Sequence, residues 1–253
     1  MLGITFANIV GVPLGTVLGQ ALSWQGPFWL LAALALTVAI MLAWKLPADA
    51  QIRRPSLREE IASTLRPRLW VVYLATAFIQ AAFLATYSYV APLLTDYTGL
   101  SASLVPLAML GYGLGGVIGN IIGGRFGDRR PYATVNTAVA LLAATLAAIV
   151  LWATNSVLAV IFIALVGVFG FIGNPIMMSL VTRTAGDVNT LAVALGTSAI
   201  QIGVATGSAL GGAALDTGLG VRGPTIVGLI AAVLALLTLL ALAGTDRARA
   251  GRC

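Results

Sequence analysis

The sequence predicts an all-α polytopic membrane protein with about eight transmembrane helices. Hydrophobic residues make up 59% of the 253 residues and charged residues only 9%, whereas a soluble domain carries about 25% charged residues. The apolar runs are each roughly 18 to 25 residues long, enough to cross ~30 Å of hydrocarbon as a helix. The basic residues fall between these runs, as they do in the loops of membrane proteins.

The first apolar run is a membrane span rather than a signal peptide, because it has no basic region before it and its glycines and proline interrupt it. The first and seventh runs are rich in Gly, Ser and Thr, which is typical of helices that face protein or a water-filled cavity. The predicted spans, in order, cover residues 2–22, 27–46, 69–92, 102–124, 132–152, 157–181, 190–214 and 224–243.

Assigning the loops alternately to two sides separates the basic residues almost completely, with Arg222 alone on one side. Because cytoplasmic loops carry the excess positive charge, we expect the basic side and both termini to be cytoplasmic, in a cell membrane. The net charge of +6 then reflects topology, and no nucleic-acid partner is expected. The residues on the basic side are Lys45, Arg53, Arg54, Arg58, Arg66, Arg68, Arg125, Arg129, Arg130, Arg183, Arg247, Arg249 and Arg252.

When the sequence is shifted by 192 residues, the glycines of residues 11–19 align with those of residues 203–211, and Thr16 aligns with Ser208. The matched segments belong to the first and seventh spans, so the repeat unit is six helices. Coincidence is the alternative in a chain with 29 glycines. Parallel six-helix repeats occur in one large class of secondary transporters. The superposed glycines are Gly11, Gly15 and Gly19 on Gly203, Gly207 and Gly211.

Two motifs resemble the major facilitator superfamily, and within it the twelve-helix drug:proton antiporters of the chloramphenicol exporter and arabinose-efflux-permease-like branch. "GITFANIVGVPLGTVLGQ", residues 3–20, is similar to the fifth-helix antiporter motif, although Val12 stands before Pro13 where a Gly-Pro pair is usual. "GGRFGDRR", residues 123–130, is similar to the superfamily's short loop signature. The resemblance implies that the chain starts at helix five and that four helices are absent upstream.

On this register, residues 1–46 are the last two helices of the N-terminal half and 47–68 a cytoplasmic linker. Residues 69–243 are then the C-terminal six-helix half and 244–253 a cytoplasmic tail. Ser56 is placed to cap a short linker helix, with Glu59 three residues on as in a capping box. A long basic loop without a linking role is the alternative.

Glycines at every fourth position form a groove that lets a neighbouring backbone approach closely, and Pro13 bends the helix that carries the first set. The family resemblance implies that these stripes contact the opposite half and seal the exporter; ordinary tight packing is the alternative. Asp128 lies between the end of span four and the start of span five, so its carboxylate can pair with Arg125 or Arg129 or lie near a helix N-terminus. Changes in such contacts would let the loop signature act as a cytoplasmic gate, unless its arginines only set topology. Its residues are Gly124, Arg125, Gly127, Asp128 and Arg129.

Polar and aromatic side chains inside spans are candidates for a substrate cavity, because an intramembrane polar group is costly unless it faces protein or water. Helix-packing hydrogen bonds explain the same residues equally well. Gln80, Phe83 and Tyr87 recur at i, i+3 and i+7, so they share a helix face. An apolar aromatic face suits a hydrophobic ligand better than a sugar. The candidates are Gln80, Phe83, Tyr87, Asn174, Met178 and Gln201.

The resulting hypothesis is a proton-coupled secondary transporter that exports small hydrophobic drug-like compounds by alternating access, a monomer when full length. Its coupling carboxylate is expected in the absent helices, because no Asp, Glu or His lies deep in a predicted span. An exporter of sugars or metabolites and a non-transporting fragment are alternatives. With no His, a single Cys and no Gly-x-Ser-x-Gly, an enzyme is disfavoured, and neither a cofactor nor a metal site is expected.

We expect Gly15→Leu in the full reading frame to lower drug protection, because the added side chain would hold the neighbouring helix away. A susceptibility panel that compares this variant with the parent measures the effect. Equal protection by the two would remove the tight-contact role from this motif.

Overall fold

The computed structural model describes residues 25–45, 57–152, 155–186 and 190–250. These residues are almost entirely helical and contain no strand. Seven of their helical stretches are long and apolar enough to span a membrane, which confirms the all-α polytopic prediction. The principal helices are α1 Gly26–Lys45, α2 Leu57–Thr64, α3 Pro67–Ser88, α4 Val105–Gly127, α5 Pro131–Trp152, α6 Ser156–Ala185, α7 Thr190–Leu215 and α8 Gly223–Ala250.

The predicted spans from 27–46 onward each correspond to one of these seven stretches. The span at 2–22, and with it Gly11, Pro13, Gly15 and Gly19, lies outside the described residues, as does Ser56. Helix α3 stops short of the predicted position 92, because the backbone leaves the helical region at Tyr89. The chain continues through a helical turn and a π-helical segment, Leu93–Tyr97.

The chain divides into two compact units, residues 1–55 and 56–253. In the first unit, every side chain from 28 to 45 of α1 is exposed, and nearly all of them are apolar. The second unit contains α2 to α8. At its centre lies α3, the most buried of the candidate spans, which packs against α6, α7 and α8.

Helices α3 and α7 meet backbone to backbone along a line of small residues, the α3/α7 seam. A Cβ added at Gly207 would lie 2.6 Å from the carbonyl oxygen of Ala81. The register stays constant over about two turns, so the two helices run in the same direction. The glycines of the seam face the alanines as Gly203 on Ala77, Gly207 on Ala81 and Gly211 on Ala85.

Hydrogen bonds join the two ends of the α3/α7 seam. At one end the hydroxyl of Tyr73 donates to the carbonyl oxygen of Ala192 at 2.8 Å. At the other end the hydroxyls of Ser88 and Ser208 are 2.8 Å apart, and Tyr89 donates to the Ser208 carbonyl oxygen at 3.0 Å. Ser208 is the residue that the internal repeat aligns with Thr16.

The expectation that the glycine stripes contact the opposite half stays a prediction; the described contacts of the α7 stripe are those of tight packing. The stripe packs on α3 within its own unit, because α3 offers alanines at the same four-residue spacing. Small residues on both helices let the two backbones approach closely, so α3 fills the groove that the glycines of α7 form.

A second seam joins α4 to α6, and the sequence analysis missed it. A Cβ added at Gly119 would meet the carbonyl oxygen of Val168, closer than real atoms come. The contacts again keep one register, so these two helices are also parallel. The pairs are Gly115 with Ala164, Gly119 with Val168, Gly123 with Ile172 and Gly127 with Ile176.

We expect Gly119→Ala to destabilise the fold by about 1–3 kcal/mol, because the added methyl group has no space against the α6 backbone. Gly113→Ala is the matched control on the same helix, since nothing lies within 4 Å of a Cβ there. Alanine also has the higher helix propensity, so this control should be neutral or slightly stabilising. Thermal unfolding in detergent measures both. Equal losses of thermal stability in Gly119→Ala and Gly113→Ala would contradict the close α4/α6 contact at Gly119.

Candidate functional site

Four aromatic rings from three helices form a continuous cluster inside the second unit, here called the aromatic cluster. Phe83 and Tyr87 come from α3, Tyr112 from α4 and Phe171 from α6. The rings of Tyr87 and Tyr112 stack with centroids 4.3 Å apart, and Phe83 lies 5.3 Å from Phe171. Tyr112 meets Phe171 edge to face at 5.9 Å. The cluster offers flat apolar surface with two phenolic hydroxyls.

Glycines on the neighbouring helices make room for the rings. A Cβ at Gly170 would lie 2.8 Å from Phe83 Cγ, and one at Gly116 would lie 3.1 Å from Phe171 Cδ2. Phe83 is fully buried, whereas Tyr87 is half buried. The cluster therefore runs from the packed interior of the unit towards an accessible edge at Tyr87.

Gln80 lies one turn before Phe83 on α3 and is 5% exposed. Its Oε1 atom is buried and has no hydrogen-bond partner among the described residues. Burying an amide oxygen without a partner costs about 1–3 kcal/mol, so this oxygen is free to accept a hydrogen bond from a bound molecule or from water. A ligand hydroxyl or amide is a suitable donor for this oxygen.

The other predicted cavity residues divide into two groups. Asn174 and Met178 are half buried on α6, at i+3 and i+7 from Phe171, and so share its face. Gln201 is exposed on α7. Because two residues along a helix turn the side chain by ~200°, and Gly203 faces α3, Gln201 points away from α3. The structure therefore does not bring Gln201 to the cluster.

Tyr112 and Phe171 were not among the cavity residues predicted from the sequence. A signal was present for Phe171, because Phe171, Asn174 and Met178 repeat the i, i+3, i+7 spacing of Gln80, Phe83 and Tyr87. For Tyr112 the local sequence gives only an aromatic residue between glycines. Its role depends on α4 lying beside α6, which no spacing within one helix reveals.

The loop signature follows the end of α4 at Gly127. The Asp128 carboxylate lies 3.8 Å from Nη2 of Arg183 at the end of α6. Its partner is therefore neither Arg125 nor Arg129, the two arginines predicted from the sequence. Parallel packing of α4 and α6 brings these two ends together. Arg125 and Arg129 are exposed, and the region around Gly124 is open. The pair links α4 to α6 at the predicted cytoplasmic side.

The sequence matches the family model described as Major Facilitator Superfamily over residues 1–196 and again over 75–252. It is 33% identical over 236 residues to the inner membrane transport protein YdhP of Escherichia coli O157:H7, covering 93% of the chain and 61% of that protein. It is 31% identical over 226 residues to a chloramphenicol resistance protein of Streptomyces lividans, covering 88% and 58%.

A third relative is the putative transporter AraJ of Escherichia coli K12, which is 31% identical over 220 residues, covering 86% of the chain and 55% of that protein. The chain thus spans between 55% and 61% of the length of these three curated relatives.

We expect the pair of Asp128 and Arg183 to contribute only about 0–1 kcal/mol to stability, because its side chains are 78% and 53% exposed. A double-mutant cycle with Asp128→Asn and Arg183→Gln, followed by thermal unfolding, measures the coupling. The coupling should fall further at high salt, which screens exposed charges. A coupling of several kcal/mol that is insensitive to salt would contradict this estimate.

Proposed function

Because the chain belongs to the major facilitator superfamily, we propose that it forms part of a secondary transporter that exports small hydrophobic compounds by alternating access. The aromatic cluster, with the buried Oε1 of Gln80 on the same face of α3, is the observation that carries this proposal. Stacking surface with few polar groups suits an apolar, drug-like ligand, and a sugar would need more hydrogen-bonding partners.

The accessible part of the proposed site is the edge at Tyr87. Its ring stacks on Tyr112 and is half buried, so a flat ligand can add to the stack without opening the core around Phe83. The Oε1 atom of Gln80 lies about two turns deeper on α3 than Tyr87 and is buried, so it can accept a hydrogen bond from the ligand only when the core around Phe83 opens. Asn174 and Met178, on the face of Phe171, extend the lining along α6.

The α3/α7 and α4/α6 seams favour a mechanism in which the helices of each pair move together as one rigid body. Backbones in direct contact along α3/α7 and α4/α6 cannot slide without breaking register, so the conformational change occurs outside these pairs. The exposed pair of Asp128 and Arg183 breaks at little cost. The loop signature, with Gly124, Arg125, Gly127 and Arg129 around Asp128, shifts the balance between inward-open and outward-open states through this pair by at most about 1 kcal/mol.

Protons are the proposed coupling ion. Within the described spans, Asp96, Asp128 and Asp216 lie near helix ends rather than at mid-membrane. The proposed mechanism therefore places the coupling carboxylate outside α3 to α8. Substrate uptake into vesicles with an imposed pH gradient, with and without a protonophore, tests the coupling.

We expect Tyr87→Leu to lower drug protection about twofold to tenfold, since one aromatic stack is worth about 0.5–1.5 kcal/mol. Tyr87→Phe keeps the ring and should keep most of the protection. Chloramphenicol is the first compound to test, because the Streptomyces lividans relative is named for resistance to it. Growth inhibition of a drug-hypersensitive strain carrying the full reading frame measures both variants.

The matched control is Trp152→Leu, which removes an aromatic side chain that is exposed at the end of α5, away from the cluster. It should protect as well as the parent at equal expression. If Tyr87→Leu protects fully against every compound that the parent exports, the aromatic cluster is not the substrate site.

A further inference from the structure

A basic cavity opens where α3 begins and α6 ends, at the predicted cytoplasmic side. Its volume is about 410 Å³, and three of its five lining residues are arginines. The carboxylate of Asp128 pairs with one of these arginines, Arg183, at 3.8 Å. The lining residues are Arg66, Pro67, Arg68, Arg183 and Thr184.

The guanidinium groups around this basic cavity are held in place by the protein. Nη1 of Arg66 donates to the carbonyl oxygen of Thr184 at 2.8 Å, which ties the start of α3 to the end of α6. Nη2 of Arg68 donates to the hydroxyl of Tyr132 on α5 at 2.6 Å. Groups fixed in this way lose little freedom when they bind an anion.

The start of α3 adds to the positive potential. Arg66 caps the helix without a side-chain hydrogen bond to its first turn, and Pro67 occupies the first position. The partial positive charge of a helix N-terminus therefore faces the same region as the three arginines. Planar guanidinium groups match the oxygen geometry of phosphate.

An exposed apolar strip on α3 continues from the cavity along the span. Trp70 and Leu74 follow Pro67 at i+3 and i+7 and so share its helix face. Trp70 is 56% exposed and Leu74 48% exposed. Tryptophan near the end of a span is typical of the membrane interface. A molecule with a phosphate in the cavity would have apolar surface directly beneath it for acyl chains.

We propose that the basic cavity binds the phosphate of an anionic phospholipid from the adjoining leaflet, with an acyl chain along Trp70 and Leu74. Arg66 and Arg183 supply charge-assisted hydrogen bonds to the phosphate oxygens. Because Arg183 also pairs with Asp128, a bound phosphate competes with Asp128 for the same guanidinium. A soluble phosphate compound offers the same phosphate group to the arginines. Only a lipid also has acyl chains that can pack on the exposed Trp70 and Leu74.

The test is a titration of the purified chain with phosphatidylglycerol in phosphatidylcholine nanodiscs, with lipid retention read by native mass spectrometry. Arg66→Gln and Arg183→Gln should each lower the phosphatidylglycerol affinity about fivefold, the value of one basic residue near an anionic surface. Phosphatidylcholine retention should not change. Arg183→Lys keeps the charge and should keep the affinity within about twofold.

Arg130→Gln is the matched control, because Arg130 is an exposed arginine on the same predicted side that does not line the cavity. It should leave phosphatidylglycerol affinity within about twofold of the parent. Equal thermal unfolding of all variants shows that the fold is kept; if Arg66→Gln unfolds, Arg183→Gln against Arg183→Lys carries the test, and equal affinities of these two then overturn the proposal.

Two outcomes would overturn the proposal. The first is unchanged phosphatidylglycerol affinity in the double variant of Arg66 and Arg183, or an equal loss in Arg130→Gln. The second is displacement of phosphatidylglycerol by inorganic phosphate near ~1 mM, an affinity that would need no acyl chains and would assign the cavity to a soluble phosphate compound.

Discussion

Two pairs of parallel helices meet backbone to backbone, and the positions of the other groups depend on this contact. In a bilayer, apolar side chains gain little by leaving lipid for protein, so helices associate through close packing and hydrogen bonds. Small residues on both sides of the α3/α7 seam and glycines on α4 at the α4/α6 seam provide that packing and fix the register. The α4/α6 register sets Tyr112 against Gly167 and so carries its ring to the level of Phe171.

Many hydroxyl side chains inside the spans are satisfied by their own helix, whereas three buried side-chain oxygen atoms in the described spans have no hydrogen-bond partner: Gln80 Oε1, Thr86 Oγ1 and Asn136 Oδ1. The hydroxyl of Thr76 donates to the Val72 carbonyl oxygen at 2.7 Å, and that of Thr145 donates to Leu141 at 2.8 Å. A short side chain reaches the preceding turn in this way and needs no neighbour. The longer amide of Gln80 leaves its oxygen buried without a partner in the described part of the chain, beside the aromatic cluster.

Features that depend on one helix could be predicted from the sequence, and features that depend on two could not. Apolar length predicted the spans, and the spacing of Gln80, Phe83 and Tyr87 placed them on one face, where two of them join the cluster. The partner of Asp128 is Arg183, on a helix distant in sequence. The aromatic rings that meet Phe83 and Tyr87 likewise come from other helices, and the alanines that face the glycine stripe of α7 lie on α3, more than 100 residues earlier in the chain.

The seams also constrain how this gene can change. Any single-nucleotide change that replaces a glycine adds a side chain, and at Gly119 or Gly207 there is no space for even one methyl group. Random mutation at these codons is therefore selected against for packing reasons, whatever compound is transported. Half-buried Tyr87 tolerates more replacements. On the proposed function, replacements around the rings would change the range of compounds bound, whereas replacements of the seam glycines would disturb the packing.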